Sequence, residues 1–160
     1  MDSEVKTIIK VGMGATAAAG GFLGITGGDT LVLAGVWGGM MLGIAGHHGV
    51  SLNKETCVKT CASIIASLSS YKIGCVLLTY GAGALFATFT LGASLLIAGG
   101  LNAIINGLIT YRLGCIFDKM YGEQGLRTAY LRIGAEVLKS MFHLPTKEEF
   151  MDFWEIFNND

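Results

Sequence analysis

The sequence predicts an all-α protein, and more specifically a helical membrane protein with two glycine-rich transmembrane hairpins and a cytoplasmic helical tail. Charged residues make up 14% of the 160-residue chain, whereas a typical soluble domain has roughly one quarter. Glycine occurs 24 times and proline once, which favours helices packed closely through small residues over a disordered linker. Charge is also absent from long stretches of the chain.

The longest stretch without charge is residues 73–111, which lies between Lys72 and Arg112. As a helix it would be roughly 58 Å long, about twice the 30 Å of a bilayer core. The length therefore predicts a hairpin with spans at about 73–90 and 94–111, turning at the sequence TLGAS.

Two shorter uncharged stretches, 11–28 and 30–47, predict a second hairpin that turns near Asp29. The first consists mostly of glycine and alanine, whose transfer into lipid is only marginally favourable. Re-entrant or interfacial placement is therefore an alternative for both. An alternative interpretation of the whole sequence is a soluble all-α bundle with an unusually apolar core.

These spans divide the chain into a membrane domain, residues 1–117, and a cytoplasmic helical tail, residues 118–160. A surface helix is expected at 54–71, with Ser51 or Asn53 capping its start. Helical spacing places an apolar face on this helix, formed by Cys57, Cys61, Ile64, Ile65 and Leu68. Lysine and arginine fall only on the side that holds both termini, so the positive-inside rule predicts that both termini are cytoplasmic.

The candidate packing surface is a row of glycines in the second uncharged stretch. Gly35, Gly39 and Gly43 are spaced four apart and share one helix face, where they would let another backbone approach closely. Packing within the chain and self-association are both open interpretations of this face.

A polar stripe runs along the last predicted span. Ser94, Asn102, Asn106 and Thr110 share one helix face, and polar groups in an apolar span are costly unless they have partners. Hydrogen bonding between helices is one interpretation. A water-filled path lined by these residues is the alternative.

The tail ends in a short amphipathic helix. Thr146 and Glu149 have the spacing of a capping box, and Phe150, Phe153, Trp154 and Phe157 follow at i, i+3, i+4 and i+7. Residues 146–160 are predominantly acidic, which argues against an anionic membrane surface as the target. The aromatic stripe is predicted to dock on the protein itself or in a partner's groove.

No catalytic, cofactor or metal site is predicted. Nucleotide, zinc-protease and serine-hydrolase signatures are missing from the sequence, and a net charge of −1 without a basic patch argues against nucleic acid. His47 and His48 are adjacent, so their rings would point about 100° apart on a helix. The four cysteines include no C-x-x-C pair and are interpreted as small buried hydrophobes in a reducing compartment.

Residues 26–117 resemble a bacterial membrane-associated helical domain of unknown function that often accompanies small GTPases. The resemblance rests on Asp29 before an apolar helix, on His48-Gly49, on the sequence SLNKE, and most specifically on LNAIINGLITYRLG. Prolines usual in that family are missing, and Trp37 stands where the family has glutamine. The resemblance implies a helical inner-membrane module that works beside a GTP-binding protein.

The predicted function is therefore a non-enzymatic membrane interaction or anchoring module in the bacterial inner membrane. Its expected partners are the lipid bilayer and a GTPase or another cytoplasmic protein, with a homo-oligomer also considered. The alternative is an oligomeric pore, with subunits packed through the glycine face and a path lined by the Asn/Thr stripe.

Overall fold

The computed structural model describes residues 1–23, 29–66, 93–123 and 146–158. Over these ranges the chain forms five α-helices and no strand, so the predicted all-α class is confirmed. The helices in chain order are α1 (Ser3–Leu23), α2 (Asp29–His47), α3 (54–66), α4 (Ala93–Glu123) and α5 (Lys147–Asn158).

The start of α1 and the end of α2 lie on the same side of the molecule, and each is capped by defined hydrogen bonds. Asp2 caps α1, since its Oδ1 accepts a hydrogen bond from the Glu4 amide at 2.9 Å. At the end of α2, the Val50 amide donates to the Ala45 carbonyl at 2.8 Å. Gly49 has φ +72° there, which is the left-handed residue that this type of helix ending requires.

Helix α3 begins as its sequence predicts. Asn53 is the cap, because its Oδ1 accepts from the Glu55 amide at 2.8 Å. Its expected apolar face is buried in the described part of the helix, at Cys57, Cys61, Ile64 and Ile65. Leu68 and the predicted extension to residue 71 lie outside the described residues.

Helix α4 is a single unbroken helix of 31 residues. It includes both the predicted span 94–111 and the predicted domain boundary at 117/118. Glycine inside a helix costs about 1 kcal/mol relative to alanine, but here it allows close contacts. A β-carbon built on Gly114 would lie 2.7 Å from Ile9 Cδ1 on α1, so only glycine lets the two helices approach this closely.

Helix α1 runs antiparallel to both α2 and α4. Along α1, Glu4 lies beside His47 and Gly12 beside Met40 of α2. Ile9 contacts Gly114 and Thr16 contacts Thr110 on α4 in the same reversed order. The three helices therefore form a bundle, with α3 against α2 through Val58 and α5 against α4 and α1.

The core lies between α1, α2 and α4 and extends to α3 and α5. Its largest fully buried side chains are Phe117, Phe153, Ile9, Met13, Leu33, Met41, Ile44, Leu113, Val5 and Thr16. On α1 these residues recur at helical spacing, which is the pattern of a helix that buries one face.

None of the helices in the described ranges is long and apolar enough to cross a membrane. The spans predicted at 11–28, 30–47 and 94–111 therefore have no support from these helices, and 73–90 lies outside the described residues. The physical reason is composition. α1 is rich in glycine and alanine, and the uncharged part of α4 contains Asn102, Asn106 and several glycines.

Candidate functional site

Helix α5 has one buried face and one exposed face. Phe153 and Ile156 are buried, and a β-carbon built on Gly107 of α4 would lie 3.4 Å from the Phe153 ring. The Phe153 ring also meets Tyr111 edge-on, with 6.1 Å between ring centroids. The inner face of α5 is thus packed against the bundle.

A partly buried ion pair fixes α5 in register on α4. The Arg112 guanidinium donates from Nε to Glu149 Oε1 at 2.5 Å and from Nη2 to Oε2 at 3.0 Å. The predicted capping box is half formed: the Glu149 amide donates to Thr146 Oγ1 at 3.1 Å, while the Glu149 carboxylate binds the arginine instead. A bidentate pair of this kind specifies orientation as well as affinity.

The outer face of α5 exposes aromatic rings in a continuous row, which we call the aromatic face and define as Phe150, Trp154 and Phe157. These side chains are 45%, 51% and 41% exposed. Trp154 stacks on Phe150 with 6.3 Å between ring centroids and on Phe157 with 6.5 Å. Met151 beside them is also exposed. Of the four aromatic residues predicted for docking, Phe153 packs inward and three face out.

A shallow cavity of about 440 Å³ lies between α1 and α2, and we call it the glycine groove. Gly35 and Gly39 line it, and no atom of the described residues lies within 4 Å of a β-carbon built on either. At Gly43 a β-carbon would lie 3.3 Å from Ile8 on α1. The predicted glycine face is therefore split: Gly43 packs within the chain, and the other two glycines face open space. The rest of the lining comes from Thr7, Ile8, Val11, Gly12, Ala15, Val36 and Met40.

The predicted polar stripe contributes to a buried junction of α1, α2 and α4. Trp37 donates from Nε1 to Thr110 Oγ1 at 2.9 Å, and the Thr16 and Thr110 hydroxyls are 2.8 Å apart. Thr110 Oγ1 also lies 2.8 Å from the Asn106 carbonyl. Asn106 is buried, and its Nδ2 has no hydrogen-bond partner among the described residues. The side chains of Ser94 and Asn102 lie outside the description.

The two histidines that close α2 each meet a carboxylate on another helix. His47 Nδ1 is 3.0 Å from Glu4 Oε2, and its Nε2 is 3.8 Å from Asp2 Oδ1. His48 Nε2 is 2.9 Å from Asp118 Oδ1 on α4. Sequence reasoning missed these carboxylates because they are far from the histidines in the chain. For His47, the sequence signal was that Asp2 and Glu4 lie at the start of α1 while His47 ends α2, a helix of similar length.

The cysteines of the described ranges are free thiols. Burial raises the pKa of Cys61 to about 12, and the neighbouring Cys57 adds to that shift. Burial also raises the pKa of Cys115 to about 11. These groups are protonated at neutral pH, which suits apolar packing and disfavours nucleophilic chemistry.

In its described ranges the protein is all-α and has an exposed aromatic face on helix α5. Comparison of the chain with protein-family models, with curated proteins and with solved structures finds no match in any of the three.

Proposed function

We propose that this protein is a non-enzymatic helical interaction module that binds a partner protein through the aromatic face of α5. The observation that carries the proposal is the stack of Phe150, Trp154 and Phe157. All three rings are about half exposed, although the helix that bears them is anchored to the bundle by its opposite face.

Exposed aromatic rings in one row supply large apolar contact area at low cost in conformational entropy, since each ring rotates about only two bonds. Tryptophan is also enriched among the residues that dominate binding energy at interfaces. The anchoring of α5 through Arg112 and Glu149 adds a further advantage. A helix already held in place loses less freedom on binding than one that must first fold.

The charge around the aromatic face indicates the chemistry of the partner. Glu148, Asp152 and Glu155 are exposed on the same helix, so the matching surface is an apolar groove with basic residues at its rim. A cytoplasmic GTP-binding protein is the partner that the family resemblance favours, and the proposal takes that protein class as its first candidate.

The proposal includes association with the bacterial inner membrane, with both termini in the cytoplasm. Its support is the sequence alone, namely the absence of charge in residues 73–111. Carbonate extraction of a membrane fraction tests this part. Retention in the pellet until detergent is added supports it, and release by carbonate alone refutes it.

A second candidate is self-association through the glycine groove, which the open space at Gly35 and Gly39 favours. The pore hypothesis adds to this a path lined by Asn106 and Thr110, both of which are buried in the bundle. Mass measurement in mild detergent distinguishes an oligomer from a monomer. Conductance that changes in Asn106→Leu would support the pore, and a strictly monomeric particle would refute both ideas.

The main proposal is tested by placing a photo-crosslinking amino acid at position 154 and, as the matched control, at position 153. Position 154 is exposed and position 153 is buried, so a partner should crosslink to the first only. The captured protein is then purified and its affinity measured for the wild type and for Trp154→Ala. We expect the variant to lose about 2 kcal/mol of binding energy, which is about 30-fold in Kd. Equal affinity of the two proteins would refute the assignment.

A further inference from the structure

One end of the bundle brings together an imidazole and two carboxylates from two helices. Asp2 and Glu4 lie at the start of α1, and His47 is the last residue of α2. One donor atom from each side chain can be chosen such that all three lie within 4.8 Å of one another. We propose that these three residues bind a divalent first-row transition-metal ion, with Zn²⁺ as the type ion.

The donor set selects this class of metal. Carboxylate oxygens alone would suit Mg²⁺ or Ca²⁺, but an imidazole nitrogen shifts the preference toward zinc and its transition-metal neighbours. Zinc takes imidazole nitrogen at about 2.0–2.1 Å and carboxylate oxygen at about 2.0–2.2 Å. Three protein ligands leave a fourth tetrahedral position for water.

The accessibility of the ligands allows the site to close around an ion. The side chains of Asp2 and Glu4 are 55% and 70% exposed, and that of His47 is 23% exposed. The imidazole is thus held by the bundle while the two carboxylates can rotate to metal-binding distance. Oδ1 of Asp2 both accepts the capping hydrogen bond of α1 and lies 3.8 Å from His47 Nε2.

The electrostatics of the site also favour a cation. The two carboxylates carry two negative charges, and His47 lies at the C-terminal, negative end of the α2 dipole. The positive end of α1 opposes the ion, but the Asp2 carboxylate that caps this end partly neutralises it. A bound ion would tie the start of α1 to the end of α2.

The neighbouring histidine supplies a matched control. His48 has nearly the same side-chain exposure as His47, 22% against 23%, and also pairs with a carboxylate. Its partner is Asp118 on α4, and it is not one of the three proposed ligands. Loss of His48 removes its pair with Asp118, and loss of His47 removes its pairs with Glu4 and Asp2; only loss of His47 removes a proposed metal ligand.

The test is titration of the full chain with Zn²⁺ and with Co²⁺, following the thermal midpoint and the visible absorption of bound cobalt. We expect one saturable ion per chain and a higher Tm with zinc, because a ligand that binds only the folded state stabilises it. His47→Ala and Glu4→Gln should each weaken zinc binding at least about tenfold. His48→Ala should leave the affinity within about twofold, and far-UV circular dichroism checks that each variant is folded.

Three results would overturn the proposal. The first is no saturable binding by the wild-type chain, and the second is equal affinity of the wild type and both ligand variants. The third is a sulfur-to-cobalt charge-transfer band, which would place the ion on the cysteines instead. These outcomes are independent of the aromatic face, so they leave the partner-binding proposal to its own test.

Discussion

The buried junction of Trp37, Thr110 and Thr16 gives the most direct prediction about stability. Thr110→Val keeps the size and branching of the side chain but removes the hydroxyl that accepts from Trp37 Nε1. Trp37 is only 3% exposed, so water cannot replace the lost acceptor. Thr16 keeps a partner, because its hydroxyl lies 3.1 Å from the Met13 carbonyl.

The expected loss of stability comes from Trp37 Nε1–H, the donor that Thr110→Val leaves without its acceptor. A buried polar group without a partner costs about 1–3 kcal/mol, and the unchanged volume adds no large cavity cost. We therefore expect Thr110→Val to lower the free energy of unfolding by about 2 kcal/mol. For a chain of this size that is roughly a 4–8 °C fall in Tm.

The assay is chemical or thermal unfolding followed by circular dichroism at the helix band, with Thr7→Val as control. The Thr7 hydroxyl donates to the Ser3 carbonyl on an exposed part of α1, so the same chemical change there should cost less than about 0.5 kcal/mol. A double-mutant cycle with Trp37→Phe should show a coupling of about 1 kcal/mol. If Thr110→Val lowers the free energy of unfolding no more than Thr7→Val does, the hydrogen bond from Trp37 to Thr110 does not stabilise the fold as proposed.

Four further substitutions have distinct expected outcomes. Gly39→Ala should raise the free energy of unfolding by up to about 1 kcal/mol through helix propensity, because its β-carbon position is open. A destabilised Gly39→Ala protein would show instead that another helix fills the groove. Gly114→Ala should lower the free energy of unfolding by about 1–3 kcal/mol, because the added methyl group overpacks against α1. Asn53→Ala should cost about 1 kcal/mol through loss of the α3 cap, measured by urea unfolding, and an unchanged midpoint would contradict that role. Glu149→Gln removes the negative charge that pairs with Arg112, so we expect faster amide exchange in α5. Unchanged exchange would contradict the anchoring role of this ion pair.

Local features of the fold were predictable from the sequence because their causes are local. Asn53 as a cap, the Cys57 and Cys61 face of α3, and the start of α5 after Thr146 all depend on residues within one helical turn. Helical spacing and side-chain capping act over that distance, so a single sequence is enough to recognise them.

Features that depend on contacts between helices were not predictable. The sequence around Gly114 gives no sign that Ile9 on α1 lies against it. Glu149 was expected to complete the capping box, but Arg112 on α4 offers a charged partner that competes for the carboxylate. An uncharged stretch likewise does not distinguish burial in a protein from burial in lipid, since both remove apolar surface from water.

Partner binding by the aromatic face is tested most directly by isothermal titration. The partner identified by crosslinking is purified without the crosslink and titrated against the wild type, Trp154→Ala and Leu31→Ala. Leu31 is 81% exposed on α2, so its variant removes a comparable exposed apolar side chain away from the aromatic face. We expect about a 30-fold rise in Kd for Trp154→Ala and no change for Leu31→Ala. Equal affinity of all three proteins, or a loss confined to Leu31→Ala, would contradict it.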